Sequence, residues 1–434
     1  MGGLIRGRAQ RLLVGGEALV RHGGNQTTLV GGALPGEEIR FHPSGRHRGA
    51  ARGRLAHVDT PAAERITPRC PVAGECGGCA LLHLHPAEHG RLQREWIEEH
   101  YRRALPPGRR AEPLPGAPDR PRSRCRRRLR WHLESTQGRF LLGFHAVRSR
   151  KVVDAAGCIT ADPLLAGLHP RILHALERGA LPPFTTLTAT RLEDGIHLLL
   201  DGCAHIDEGD PPFTEQATLP LQWWRRGDDG GLRPWGRPVH TFHDMLPSCR
   251  GGSIALEIGP DDFIQSDAEA NRAMIRWIIE QAGPARHIVD LFCGAGNCSL
   301  PLARPGRTIV GADADAASVA RAERNARRID AGARYRTVDL LRPFDPAPFA
   351  GADLLLLDPP RKGARRVVAM IQRLLPKRVI MIHCDPASGG RDATLLAEAG
   401  WRMEGLFSLE MFSWSGRVET ISLWRHPGPE RRSA

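Results

Sequence analysis

The chain has 434 residues, 41% hydrophobic and 25% charged, with a formal charge of +13. That length builds about two to four domains with ample cores. The composition excludes collagen-like, largely disordered and membrane-embedded chains.

No apolar run approaches the roughly 18 residues that span a bilayer. The segment Met1–Arg8 lacks the apolar centre of a secretion signal. A cytoplasmic, membrane-free protein is therefore expected, with a monomer as the working assumption. All but three of the 61 basic residues are arginine, the lysines being Lys151, Lys362 and Lys377. Arginine pairs with phosphate and stacks on bases, so a polyanion such as RNA or DNA is the expected partner. An arginine-biased genome is the bland alternative. Ten cysteines in a cytosolic chain point to metal or catalytic thiols rather than disulfides.

Residues 1 to about 58 read as five short strands, at Leu12–Val14, Glu17–Arg21, Thr27–Val30, Glu37–Phe41 and Arg48–Val58. Gly15-Gly16, Gly23-Gly24, Gly31-Gly32 and Leu34-Pro35-Gly36 separate them, as turns do. A small barrel of the oligonucleotide-binding kind follows. Its basic rim (Arg46, His47, Arg48, Arg52, Arg54) suits a phosphate backbone or is simply solvated. Residues 87–105 read as a helix and 106–121 as a Pro/Gly linker. Residues 122 to about 257 read as mostly strand, with a loop around Arg225–Pro238. From 260 onward helices alternate with short apolar strands, the βαβ pattern of a parallel sheet. The seven arginines between Arg120 and Arg130 would place Arg122, Arg124, Arg126, Arg128 and Arg130 on one strand face, expected to meet RNA.

Cys70, Cys76 and Cys79 are close in sequence, and Gly77-Gly78 let the backbone wrap tightly. With Cys158 as a distant fourth thiol, the set suits a cubane iron–sulfur cluster. Four-cysteine zinc is the rival, although a second close Cys pair is missing.

His287–Asp290 is an apolar strand running into Leu291-Phe292-Cys293-Gly294-Ala295-Gly296-Asn297, a glycine turn. The next strand ends in Asp313, placed to accept both ribose hydroxyls, and a third ends at Asp339, where adenine can lie. Ser299 stands where a diphosphate-binding turn carries its last glycine, which favours S-adenosylmethionine over a dinucleotide. A fourth strand delivers Asp358-Pro359-Pro360-Arg361, and a fifth ends in His383-Cys384-Asp385-Pro386. Cys384 is a candidate nucleophile, aided by the following helix dipole and opposed by Asp385. Glu419 opens the last strand as a candidate base. Taken alone, the thiol reads as a buried inert cysteine and the carboxylate as a surface residue.

Together these segments resemble the RNA uracil-carbon-5 methyltransferases of the RumA/TrmA type over nearly the whole chain. The resemblance implies a multidomain fold. It comprises an N-terminal OB-like TRAM barrel (1–58), a central mostly-β domain with a [4Fe-4S] cluster (59–86 and 122–257), and a C-terminal Rossmann-like, class I α/β methyltransferase domain (87–121 and 258–434). It implies cluster ligands Cys70, Cys76, Cys79 and Cys158, and a cofactor pocket of Gln265 (from Phe263-Ile264-Gln265-Ser266), Phe292, Asn297, Asp313, Asp339 and Asp358. It also implies Cys384 as nucleophile, Glu419 as base, and 23S ribosomal RNA rather than tRNA as substrate, because the tRNA branch lacks barrel and cluster. The chain departs from the family at His383 and Asp385 (usually Ser and Asn), Glu410 and Ser413 (usually Asp and Pro), Arg417 (usually His) and Asp313 (usually Glu). Rival readings are a nicotinamide oxidoreductase, a non-catalytic RNA-binding relative and a cytosine-C5 methyltransferase. The last lacks its second cysteine, because Arg361 stands there.

Overall fold

The computed structural model describes residues 3–47, 49–203 and 209–426. Arg48, counted above in the basic rim, lies outside them. Five strands, β1 (Ile5–Leu12), β2 (Glu17–His22), β3 (Gln26–Gly31), β4 (Glu38–His47) and β5 (Ala50–Thr60), close into a barrel in the order β1-β2-β3-β5-β4. Alternating residues (Ala18, Val20, Val30, Ile39, Phe41) fill it. Glu37 is buried, yet its carboxylate accepts the Leu34 and Ala62 amides and the Arg65 guanidinium. Burial opposes ionisation, but these donors hold its pKa below the ordinary value.

Helix α1 (Pro86–Tyr101) ends four residues earlier than the sequence pattern suggests and joins two cores. Leu92 and Trp96 pack into the barrel, while Ile97 and Tyr101 pack under the C-terminal sheet. Trp96 also donates from Nε1 to the Leu12 carbonyl at 2.9 Å.

After the two-residue β6 (Glu112–Pro113) comes a mixed sheet of β7 (Arg128–Thr136), β8 (Arg139–His145), β9 (Val152–Asp154), β10 (Thr186–Arg191), β11 (Ile196–Asp201), β12 (Glu215–Gln216), β13 (Leu219–Arg226) and β14 (Leu232–Trp235). Helix α2 (Pro163–Glu177) covers it. The sequence reading missed this helix because Pro163, Gly167 and Pro170 look like breakers. Pro163 instead occupies the first turn, where no N–H is needed, and Asp162 caps it by accepting the Leu164 amide. The expected loop around Arg225–Pro238 contains the β13–β14 hairpin.

The hairpin β15 (Phe242–Pro247) and β16 (Ser253–Ile258) packs with α3 (Ala268–Ala282) into the core of the C-terminal sheet. That sheet contains β17 (His287–Leu291), β18 (Thr308–Asp313), β19 (Ala333–Thr337), β20 (Leu354–Leu357), β21 (Arg378–His383), β22 (Arg402–Leu409) and β23 (Glu419–Arg425). The order is β19-β18-β17-β20-β21-β23-β22-β6, with β23 antiparallel to its neighbours. Helices α4 (Ala316–Arg328), α5 (Arg365–Ala369), α6 (Ile371–Leu374) and α7 (Pro386–Glu398) complete the layers. All four leucines of β20 are buried, as a strand covered on both faces requires. Each contributes about 2 kcal/mol. Among the described residues no helix is long and apolar enough to cross a membrane.

Candidate active site

The strands β17, β18, β20 and β21 run parallel, so their carboxyl ends share one edge, the usual ligand side of such a sheet. β23 runs the other way and begins at that edge. His383 pairs with Thr420, so Cys384, one residue on, lies level with Glu419, one residue back. The predicted nucleophile and the predicted base, 35 positions apart in sequence, are therefore brought together.

Cys384 is half-buried, and burial raises its pKa to about 11. Glu419, Asp358 and Asp385 push it the same way, while Arg361 pulls it down. Glu419 is buried and its Oε1 has no protein partner. Burial and the neighbouring Asp358 raise its pKa well above the ordinary carboxylate range, which suits a proton acceptor. Asp385 caps α7 by accepting the Ser388 amide at 3.1 Å, a task Asn or Asp performs equally. His383, on the opposite strand face, bonds to Asp392 instead of facing the thiol.

The glycine turn follows β17. Gly294 and Gly296 have φ of 51° and 95°, which side-chain-bearing residues rarely adopt. The Gly294 amide donates to Asp313 at 3.0 Å. Asp358 accepts from Gln265 Nε2 at 3.3 Å, leaving the buried Gln265 Oε1 without a partner. Phe292, also at positive φ, lies half-buried beside the turn. Asn297 exchanges paired amide hydrogen bonds with Asn271 of α3 (2.9 and 3.1 Å). Asp339 is exposed two residues past β19 and pairs with Arg342. Sequence reasoning missed the site role of Asp290, whose fully buried carboxyl is raised to about 7 by desolvation, with Asp313 adding to the effect. Its only signal was an acid inside an apolar strand. Asp358 is likewise raised to about 7, by desolvation and the charges of Asp290 and Asp313. A cluster of acids that resist ionisation suits a cationic ligand such as a sulfonium. Phe263, the first residue of the motif that carries Gln265, is 72% exposed.

A family model for tRNA (uracil-5-)-methyltransferases matches residues 249–332. A protein of Alkalilimnicola ehrlichii named 23S rRNA (uracil(1939)-C(5))-methyltransferase RlmD is 32% identical, with 94% of this chain and 93% of that one aligned. One of the same name from Acidithiobacillus ferrooxidans is 33% identical over 91% and 92%. The chain belongs to the RNA uracil-C5 methyltransferase family. The solved Pyrococcus abyssi tRNA (uracil-54, C5)-methyltransferase, in complex with S-adenosyl-L-homocysteine, shares its fold. The TM-score is 0.75 at 18% identity, covering 97% of this chain and 100% of that one.

In this uracil-C5 methyltransferase, Cys70, Cys76, Cys79 and Cys158 line one small cavity of about 30 Å³ together with Arg126. Burial raises the Cys79 pKa to about 12 against the pull of Arg126, and the other three thiols raise it further. Among the described residues, no three His, Cys, Asp or Glu side chains are drawn together tightly enough to grip an ion. The thiols are gathered without being closed on one point.

The arginine run does not form the expected face. Strand β7 starts only at Arg128, and Arg124 has a φ of 58°. Arg122 pairs with Asp267 and Glu269, and buried Arg127 makes a bidentate pair with Asp244 (2.6 and 2.8 Å). Arg128 donates to the Asp262 carbonyl. Arg122, Arg127 and Arg128 thus bind the start of α3, the β15 strand and the Asp262 carbonyl, partners more than a hundred positions away. Arg124 and Arg130 remain exposed.

Proposed function

We propose that this methyltransferase acts on carbon 5 of a uridine in 23S ribosomal RNA through a covalent cysteine–uracil adduct. The register that sets Cys384 level with Glu419 carries the reading, and the named activity of the relatives supports the substrate. Carbon 5 of uracil is a weak nucleophile. The Cys384 thiol loses its proton to solvent, the thiolate adds to carbon 6, and the ring electrons move toward carbon 5 and the carbonyl oxygen as an enolate. Arg361, the cation beside the thiol, favours both thiolate and enolate. After carbon 5 is alkylated, Glu419 removes its remaining proton, the C5–H electrons restore the C5=C6 double bond, and the C6–S bond breaks with its electrons on sulfur, returning the thiolate. The high pKa of Glu419 makes it a competent acceptor at this step. The base must leave its stack to reach this edge, which costs least in a single-stranded loop.

S-adenosylmethionine, when bound, supplies the electrophilic methyl. Gln265, Phe292, Asn297, Asp313, Asp339 and Asp358 are the residues assigned to hold it. The acid cluster and the unpartnered Gln265 Oε1 fit a charged, hydrogen-bonding ligand. Cys70, Cys76, Cys79 and Cys158 are assigned to a [4Fe-4S] cluster with a structural role, since each iron takes one thiolate. The four thiols around one cavity support this. We assign residues 1–58 to a TRAM-like RNA-binding barrel, residues 59–86 and 122–257 to the central domain, and residues 87–121 and 258–434 to catalysis, in a cytoplasmic monomer.

Glu419→Gln, incubated with S-adenosylmethionine and total RNA, should accumulate a methylated protein–RNA adduct that survives denaturant. Turnover should fall about 10²–10⁴-fold. Sequencing the trapped RNA identifies the uridine. Absence of the adduct, together with absence of methyl transfer by wild type, rejects the mechanism.

A further inference from the structure

Asp392 of α7 is fully buried and binds the catalytic edge from two sides. Its Oδ2 accepts the Ala364 amide at 2.5 Å and faces His383 Nε2 at 3.2 Å. Its Oδ1 accepts Arg391 Nε and Nη2 at 3.0 and 2.8 Å, and Arg391 Nη2 also donates to the Lys362 carbonyl at 2.7 Å. Gly363, at φ +78°, lies so close that a Cβ would come within 2.4 Å of the same carboxylate. The segment after β20, which carries Asp358 and Arg361, is thus tied down at Lys362, Gly363 and Ala364. His383 is the residue immediately before Cys384, and β20 and β21 are in register with Leu357 beside Met381.

We propose that Asp392 and His383 form a clasp that fixes the Asp358–Ala364 loop against the nucleophile strand, making both of them positioning residues for the reaction proposed above, on which this inference rests. His383 faces away from the thiol and acts only through Asp392. The imidazole spans the gap to the carboxylate, whereas the serine usual at this position keeps its hydroxyl next to Cβ. The groups that face Cys384 are Glu419 at the start of β23, Arg417 just before it, Asp385 next in the chain, and Asp358 and Arg361 from the clasped loop. Loosening the clasp moves the last two. A displacement of about 1 Å at a catalytic centre costs about 10²-fold in rate.

The test compares His383→Ala, His383→Gln and Arg391→Ala with wild type in two assays. One measures covalent capture of ribosomal RNA containing 5-fluorouridine, in the presence of S-adenosylmethionine, where fluorine blocks the final elimination. The other measures iodoacetamide alkylation of the Cys384 peptide at pH 8 by mass spectrometry. His383→Ala should slow capture about 10–100-fold. It should change alkylation about threefold, because Asp358, which raises the thiol pKa, and Arg361, which lowers it, both move with the loop. His383→Gln, which keeps an N–H donor, should reverse most of both changes. Arg391→Ala, a half-exposed side chain whose loss spares the core, should fall between. Wild-type capture and alkylation in His383→Ala, or equal damage in Ala and Gln, overturns the clasp. Should His383→Ala not fold, unchanged alkylation in Arg391→Ala overturns it. Failure of wild type to capture RNA rejects the methyltransferase mechanism instead, and the alkylation comparison still decides the clasp.

Discussion

Cys384 and Cys79 carry the same thiol in two settings. Burial raises both, to about 11 and about 12, and one arginine opposes the rise in each, Arg361 for Cys384 and Arg126 for Cys79. The remaining neighbours differ. Cys384 has Glu419 and Asp358, whereas Cys79 has three more thiols. A carboxylate beside a thiol gives a proton acceptor for turnover. Thiols beside a thiol give a ligand set. The neighbours, more than acidity, separate the cysteine proposed as nucleophile from the one proposed as cluster ligand.

The sharpest way to break this comparison is to remove each sulfur in turn. Cys384→Ala should lower methyl transfer at least about 10³-fold and abolish adduct formation. Under the proposed cluster assignment, Cys79→Ala should lower the iron content found by metal analysis, yet leave the Cys384 alkylation rate within about twofold, as separate sites act independently. If the two variants fail alike, the two sites are coupled.

Glu410 is a further buried ionisable group. Glu410 accepts from Gln93 of α1 at 2.6 Å, and burial raises its carboxyl from 4.5 to about 7. Because the folded value is the higher one, the protonated acid contributes stability that is complete below about 4.5 and is lost as pH rises through about 7. Glu410→Gln, neutral throughout, should exceed wild type at pH 8 by on the order of 2–3 kcal/mol and match it near pH 4.5 in urea unfolding.

The smallest expected effect concerns the acids of the proposed cofactor pocket. Asp290 and Asp358, both raised to about 7, ionise between pH 6 and 8 and then attract a sulfonium. Affinity for S-adenosylmethionine should rise roughly three- to tenfold over that interval, and that for S-adenosylhomocysteine, whose sulfur is neutral, by less, in calorimetric titrations. Equal rises for both ligands would show that these acids do not read the sulfur charge.

Local chemistry was legible along the chain. Four of the five glycine-separated strands of the barrel, the Gly294 turn with Asp313 and the buried leucines of β20 follow from spacing and residue type alone, whereas the first strand, expected at Leu12–Val14, runs from Ile5 to Leu12. Helix α2 was hidden because Pro163 sits in its first turn, where a helix tolerates proline, while Pro170 lies in its interior, where proline ordinarily breaks a helix. The arginine run was misread because its acidic partners, Asp244, Asp267 and Glu269, are distant in sequence. Asp290 looked like one polar residue in an apolar strand until three strands set it near Asp313 and Asp358.

The sequence by itself determined the inventory: a thiol at a strand end, an acid opening the last strand, four cysteines and a glycine turn, because hydrophobic period and turn chemistry act over a few residues. The tertiary structure alone decided which members of that inventory meet. The reversed direction of β23 brings Glu419 level with Cys384, and α7 puts Asp392 behind His383. Such meetings depend on strand order and register across the sheet, which close-range pattern does not encode.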